Sequence, residues 1–126
     1  MLFYYIKYEQ TEEVLGMLHR HEVEPDDQDI NGNTSLHIAV EQKLINQVKL
    51  LLSLGANPNI PDYLEVGYNT PLHKAAEANE YDIVTLLVSA GADLNARNKL
   101  GQTPLHISFR KKNGEISRYL LSHGRI

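Results

Sequence analysis

Six histidines, sixteen acidic residues and no cysteine could serve two kinds of chemistry: imidazole-based metal ligation or proton transfer, and carboxylate acid catalysis. Their spacing argues against both. His37, His73 and His106 fall 36 and 33 residues apart, which puts the imidazoles in successive structural units with no converging acids or thiolates, whereas zinc needs clustered ligands. His19 and His21 are two apart on an expected helix and so face different ways. His123 stands near a helix end, where the dipole favours a charged imidazole. The chain has no Gly-x-Ser-x-Gly elbow, no glycine-rich phosphate loop and no His-Glu-x-x-His. Its acids fall in turn and cap positions rather than as an isolated pair in apolar surroundings. No catalytic residue, metal ligand or cofactor is assigned, and the chain is expected not to be an enzyme.

The elements that position these histidines are repeated. Thr34-Ser35-Leu36-His37, Thr70-Pro71-Leu72-His73 and Thr103-Pro104-Leu105-His106 each open a similar apolar pattern, and Gly55, Gly91 and Gly124 follow with the same steps of 36 and 33. The shared difference locates one three-residue insertion. Threonine suits a helix N-cap, and proline at the first helical position gives up only a donor that would be unpaired anyway. Small Ala39, Ala75 and Ala76 allow a short first helix to lie close to its neighbours. Leu50-Leu51, Leu86-Leu87 and Leu120-Leu121 give a second helix its apolar stripe. The three glycines sit just past those stripes, where a left-handed residue closes a helix.

The tetrapeptides, the leucine runs and the segments Gly55-Ala56-Asn57-Pro58-Asn59 and Gly91-Ala92-Asp93-Leu94-Asn95 together resemble the ankyrin-repeat family over essentially the whole chain. The resemblance implies an all-α solenoid of helix-turn-helix units joined by β-hairpin or β-turn loops. The units are 1–28, a degenerate N-terminal cap; 29–61; 62–97, with the insertion; and 98–126, a more polar last unit. They form one domain, because no single unit can bury its own apolar face. The resemblance also implies that His37, His73 and His106 bond locally and to the neighbouring hairpin, holding units in register.

Composition sets further bounds. Without cysteine there is no disulfide framework, and the apolar start Met1–Ile6 is too short to span a membrane and lacks a signal-peptide pattern. An intracellular, cytoplasmic protein is expected, with the nucleus or a host cell's cytosol also compatible. The net charge is −4. Residues 1–33 hold eight acids against Lys7 and Arg20, while residues 94–126 hold seven basic residues against Glu115, so a linear solenoid carries an acidic and a basic end that could orient a charged partner. Nucleic acid is disfavoured as that partner, since Phe109 is the only aromatic beside the Arg110-Lys111-Lys112 run.

Recognition of another protein by a monomer remains, and the resemblance implies its place: the concave surface of hairpin tips and inner helices. The candidate partner-binding residues are Ile30, Asn31, Asn33 and Ile38 in the first full unit; Tyr63, Leu64, Val66, Tyr68, Asn69, Lys74 and Glu77 in the second; and Lys99, Leu100, Gln102, Ile107, Arg110 and Lys111 in the last. Glu41, Gln42 and Ala78 border them, and Tyr5 and Tyr8 could add to them from the cap. Ile30, Ile38, Tyr68, Leu100 and Ile107 are expected as an exposed apolar patch, with the insertion between Asp62 and Thr70 as its edge. Scattered surface hydrophobes and a loop-length change without function are the alternatives. An adaptor or inhibitor fits this reading, as does a recruitment domain within a larger enzyme or scaffold.

Overall fold

Helices of seven residues are too short to persist alone in water, so the ends of these helices and their packing decide the fold. The computed structural model describes residues 25–124, and the cap expected at residues 1–28, including Tyr5 and Tyr8, lies almost wholly outside them. Within them run α1 (Ser35–Glu41), α2 (Ile45–Ser53), α3 (Pro71–Glu77), α4 (Tyr81–Ser89), α5 (Pro104–Arg110) and α6 (Gly114–His123). The inner helices α1, α3 and α5 stack on one another, the outer helices α2, α4 and α6 do likewise, and each pair packs as a hairpin. No strand occurs among the described residues, and turns join the units. The result is an all-α repeat solenoid.

Each inner helix begins with the same reciprocal cap. The hydroxyl of Thr34, Thr70 or Thr103 accepts the backbone N–H of the histidine three residues on, and that histidine's Nδ1 accepts the threonine N–H. Histidine thus fills the place that Glu or Gln takes in an ordinary capping box. Because Nδ1 accepts an amide N–H, at 3.1 Å for both His37 and His73, the ring proton sits on Nε2. From there His37 donates to the Asn69 carbonyl and His73 to the Gln102 carbonyl, each at 2.8 Å. The imidazole therefore closes its own helix and holds the next unit. His106 departs from the expectation. It keeps the local cap, with Nδ1 3.0 Å from Thr103 N, but it is exposed, because no hairpin follows it among the described residues.

Helix ends show a second regularity. Gly55 (φ 89°) and Gly91 (φ 96°) are left-handed as expected, and the amides that follow turn back onto the helix, Ala56 N to Leu51 O and Ala92 N to Leu87 O at 3.0 Å. Gly124 breaks the pattern with φ −95°, so the last outer helix does not end in a left-handed glycine. Inner helices end in the same type of turn on Lys43, Asn79 and Lys112, all near φ 60°. Asparagine suits that conformation, but Lys43 and Lys112 gave no sign in the sequence that they stand in glycine-type conformations.

The core is a stack of equivalent positions. Leu36 and Leu72, Ala39 and Ala75, Val48 and Val84, and Leu51, Leu87 and Leu120 are buried. The last unit replaces the buried Ala and Val of the earlier ones with Ser108 and Ser117. Their hydroxyls meet at 2.8 Å, each also within reach of a helix carbonyl, Leu105 or Asn113, so one donates across the pair and the other to its carbonyl. Paired in this way they avoid the cost of an unsatisfied buried polar group.

Two expectations follow. Gly91→Ala places a Cβ in open space but in a left-handed conformation, costing about 1 kcal/mol. At Gly32 (φ 84°) the Cβ would also stand 2.6 Å from the Tyr63 ring and closer still to the Tyr63 backbone nitrogen, adding about 1–3 kcal/mol of overpacking. Urea unfolding should rank Gly32→Ala clearly below Gly91→Ala, and coincident midpoints would contradict the close approach. Burial also holds the His37 and His73 imidazoles below their ordinary value of 6.5, against the smaller opposing pull of the carbonyls they bond. A base whose folded pKa is depressed takes up protons more readily in the unfolded chain, so this stability is complete above 6.5 and is lost as pH falls below it towards the folded values. The urea midpoint should be lower at mildly acidic than at neutral pH; a rise on acidification would contradict the neutral, Nε2-protonated assignment.

Candidate functional site

The hairpin loops share one device. Asp29 Oδ1 accepts the amides of Asn31 and Asn33 at 2.9 Å, and Asn98 Oδ1 accepts those of Leu100 and Gln102 at 3.0 and 2.9 Å. The second loop keeps one such bond, Asn69 N to Asp62 Oδ1 at 2.7 Å. The three extra residues fold into a tight turn in which Val66, Gly67 and Tyr68 all donate to the Tyr63 carbonyl. Neighbouring loops are then tied backbone to backbone, Tyr63 N to Asn31 O at 3.0 Å and Lys99 N to Gly67 O at 2.9 Å. The inserted segment is thus held on both sides.

This register puts Tyr68 (φ 56°) in the place occupied by Gly32 (φ 84°) and Gly101 (φ 76°) in the other loops. A left-handed conformation costs a non-glycine residue about 1–2 kcal/mol. Tyr63, Leu64, Val66 and Tyr68 all lie exposed instead of folding back on the hairpin. With Ile30 (90% exposed) and Leu100 (78%) they account for six of the eight exposed large hydrophobic side chains among the described residues, so apolar exposure is concentrated at the hairpin tips.

Behind the second and third tips runs a groove of about 580 Å³. Val66, Gly67, Asn69, Asn98, Lys99, Leu100 and Gln102 line it from the loops, and Glu41, His73, Lys74, Glu77, Ala78, Ile107 and Arg110 from the inner helices. Nine of the candidate residues meet there: Val66, Asn69, Lys74, Glu77, Lys99, Leu100, Gln102, Ile107 and Arg110. Ile30, Asn31, Asn33, Ile38, Tyr63, Leu64, Tyr68 and Lys111 lie outside its lining.

Several expectations need correction. Ile107 is 3% exposed, so it is a buried floor residue and not part of an exposed patch. Ile38 is half-buried and packs against the core. Asn33 is half-buried with its Oδ1 enclosed. Both were expected at the surface, but stacking of the next unit covers them. Asn69 and Gln102 line the groove while their carbonyls serve His37 and His73. Arg110 and Lys111, candidate partner contacts, both stand against Glu77, Lys111 Nζ at 3.8 Å from its carboxylate.

The charges form a ladder between units. Lys74 Nζ is 2.8 Å from Glu41 and 3.7 Å from the buried Asp62 carboxylate, and Arg110 bonds Glu77. Both Glu41–Lys74 and Glu77–Arg110 are 33 residues apart, a signal that was present in the sequence once the period was known. Gly67, Asn98 and His73 were missed as lining residues, since their types announce only turn and cap. No group of three or more His, Asp or Glu side chains suited to a metal ion occurs among the described residues, and no described helix is long and apolar enough to cross a membrane.

Comparison with known proteins agrees with this geometry. A family model described as Ankyrin repeat matches residues 31–63, and one described as Ankyrin repeats (3 copies) matches residues 64–126. The chain is also similar to the human (Homo sapiens) transient receptor potential cation channel subfamily A member 1, with 35% identity over 95 residues. That is 75% of this chain and 5% of the relative, so the chain spans about a twentieth of that protein's length. Stacked helical hairpins, threonine–histidine caps reaching into the next loop and family matches from residue 31 onward agree: the chain belongs to the ankyrin-repeat family.

Proposed function

We propose that this chain is a non-enzymatic, monomeric recognition module that binds another protein along its concave face, acting as an intracellular adaptor or inhibitor. Ankyrin repeats are generally protein-interaction modules and typically non-catalytic, which supports the class. The observation that carries the placement is the groove between the inserted loop and α5, with exposed apolar tips on one wall and charged inner helices on the other. Rigid tips are suited to binding, because apolar side chains on a fixed scaffold lose water with little ordering cost. Tyr68 adds to the case, since an aromatic residue in a glycine conformation keeps strain in the loop that binding could offset.

A second reading rests on the relative. A segment similar to most of this chain makes up 5% of a human channel subunit, so the module could equally act as the recruitment part of a longer chain. The binding surface would be the same.

Substitution at Tyr68 can separate stability from binding. Tyr68→Gly removes about 1–2 kcal/mol of left-handed strain and returns about 0.4–1 kcal/mol to the entropy of the unfolded chain, so folding should be unchanged or slightly strengthened. Recovery of partner proteins in quantitative affinity capture should nonetheless fall by several-fold with Tyr68→Gly and with Leu100→Asp as bait, and should stay at the wild-type level with Lys49→Glu on the outer helix. Capture abolished by Lys49→Glu and untouched by the other two would put the site on the wrong face.

A further inference from the structure

The groove's charges are unequally engaged. Glu41 is held by Lys74 at 2.8 Å, and Glu77 takes both Arg110 and, more loosely, Lys111 at 3.8 Å. Each groove carboxylate is therefore occupied by a cation from the following unit. Lys99 is exposed and has no carboxylate within ion-pair distance among the described residues. An incoming cation would have to displace an existing pair. An incoming carboxylate meets Lys99 without competition, with Lys111 only loosely held nearby. Lys99 also adjoins Leu100, the most exposed apolar tip on the groove, which stands with Val66 above the buried Ile107.

We infer that the groove's partner is an acidic protein segment, one that sets a carboxylate against Lys99 next to an apolar side chain seated between Leu100 and Val66. This rests on the concave-face reading and gives it a chemistry. Phosphate would also satisfy Lys99, but nucleic acid fits less well. The groove has no Phe, Tyr or Trp on which a base could stack, and the ring of His73, its one imidazole, is committed through both nitrogens. The charges lining it are also nearly balanced: two acids (Glu41, Glu77) stand against three bases (Lys74, Lys99, Arg110), too small an excess for binding driven by counterion release.

The test is selection of a displayed random-peptide library against the full chain, followed by fluorescence titration of the enriched peptides in rising salt. Enriched sequences should pair Asp or Glu with Leu, Ile or Phe. Lys99→Glu should weaken them about tenfold and remove much of the salt dependence, Leu100→Asp should abolish binding, and circular dichroism and urea midpoints should match wild type in both. Enrichment of neutral or basic peptides that still depend on Leu100 would overturn the acidic chemistry and leave the concave face standing. Acidic peptides indifferent to Lys99 and Leu100 but lost with Lys49→Glu would overturn both. An oligothymidylate that displaces the peptides at lower concentration, or a library from which nothing is enriched, would overturn a protein segment as the partner.

Discussion

The bond from a buried histidine Nε2 to the carbonyl of the next hairpin is the constraint on which the rest of this structure depends. Protonation would leave that bond in place but not the cap, because Nδ1 must keep its lone pair to accept the Thr34 amide, so the cap and the lack of solvent together hold the imidazole neutral. It fixes where the following loop ends, since the carbonyls it reaches, on Asn69 and Gln102, stand immediately before the next capping threonines. One side chain therefore sets a helix start, a register and a loop position at once. The groove inherits its geometry from those bonds, with His73 and both acceptor residues in its wall.

The insertion shows how such a frame tolerates added length. Three residues enter between Asp62 and Thr70, yet Asp62 still accepts the amide of Asn69, and the backbone bonds to both neighbouring loops survive through Tyr63 and Gly67. The extra chain is taken up in a local turn on the Tyr63 carbonyl, and the change reaches the surface as exposed apolar side chains and one left-handed tyrosine. Lengthening a loop costs little entropy when its ends are already fixed.

The fold was legible from the sequence because its determinants are local and repeated: threonine caps, leucine stripes and glycines at one period each have a physical reason to be where they are. Surface assignments were less secure. Whether Ile38 or Ile107 faces solvent depends on how neighbouring units pack around it, and Lys74, which stands between them in the repeat register, reaches Glu41 and Asp62 instead. Side-chain type alone does not carry that information. Gly124 illustrates the same limit from the other side, because identical residue type and register gave a different backbone conformation. The left-handed Lys43 and Lys112 were unreadable for the opposite reason, since helix–helix turn geometry overrides their intrinsic preference, whereas asparagine, as at Asn79, takes that conformation readily.

His106 carries a consequence for how binding and folding communicate. In a one-dimensional stack, stability is shared between units and their nearest-neighbour interfaces. The unit holding His106 has that interface on one side only among the described residues, and its core includes the Ser108–Ser117 pair where other units place Ala and Val. A core with that serine pair buries less apolar surface than the middle unit's, which lowers its local opening free energy. Leu100 and Arg110 belong to this same unit, so any ligand that grips them together with Val66 stabilises that hairpin against its neighbour. By linkage, affinity then includes the free energy of closing that hairpin, and sequence changes far from the groove that loosen α6 would reach the partner as a faster dissociation rate.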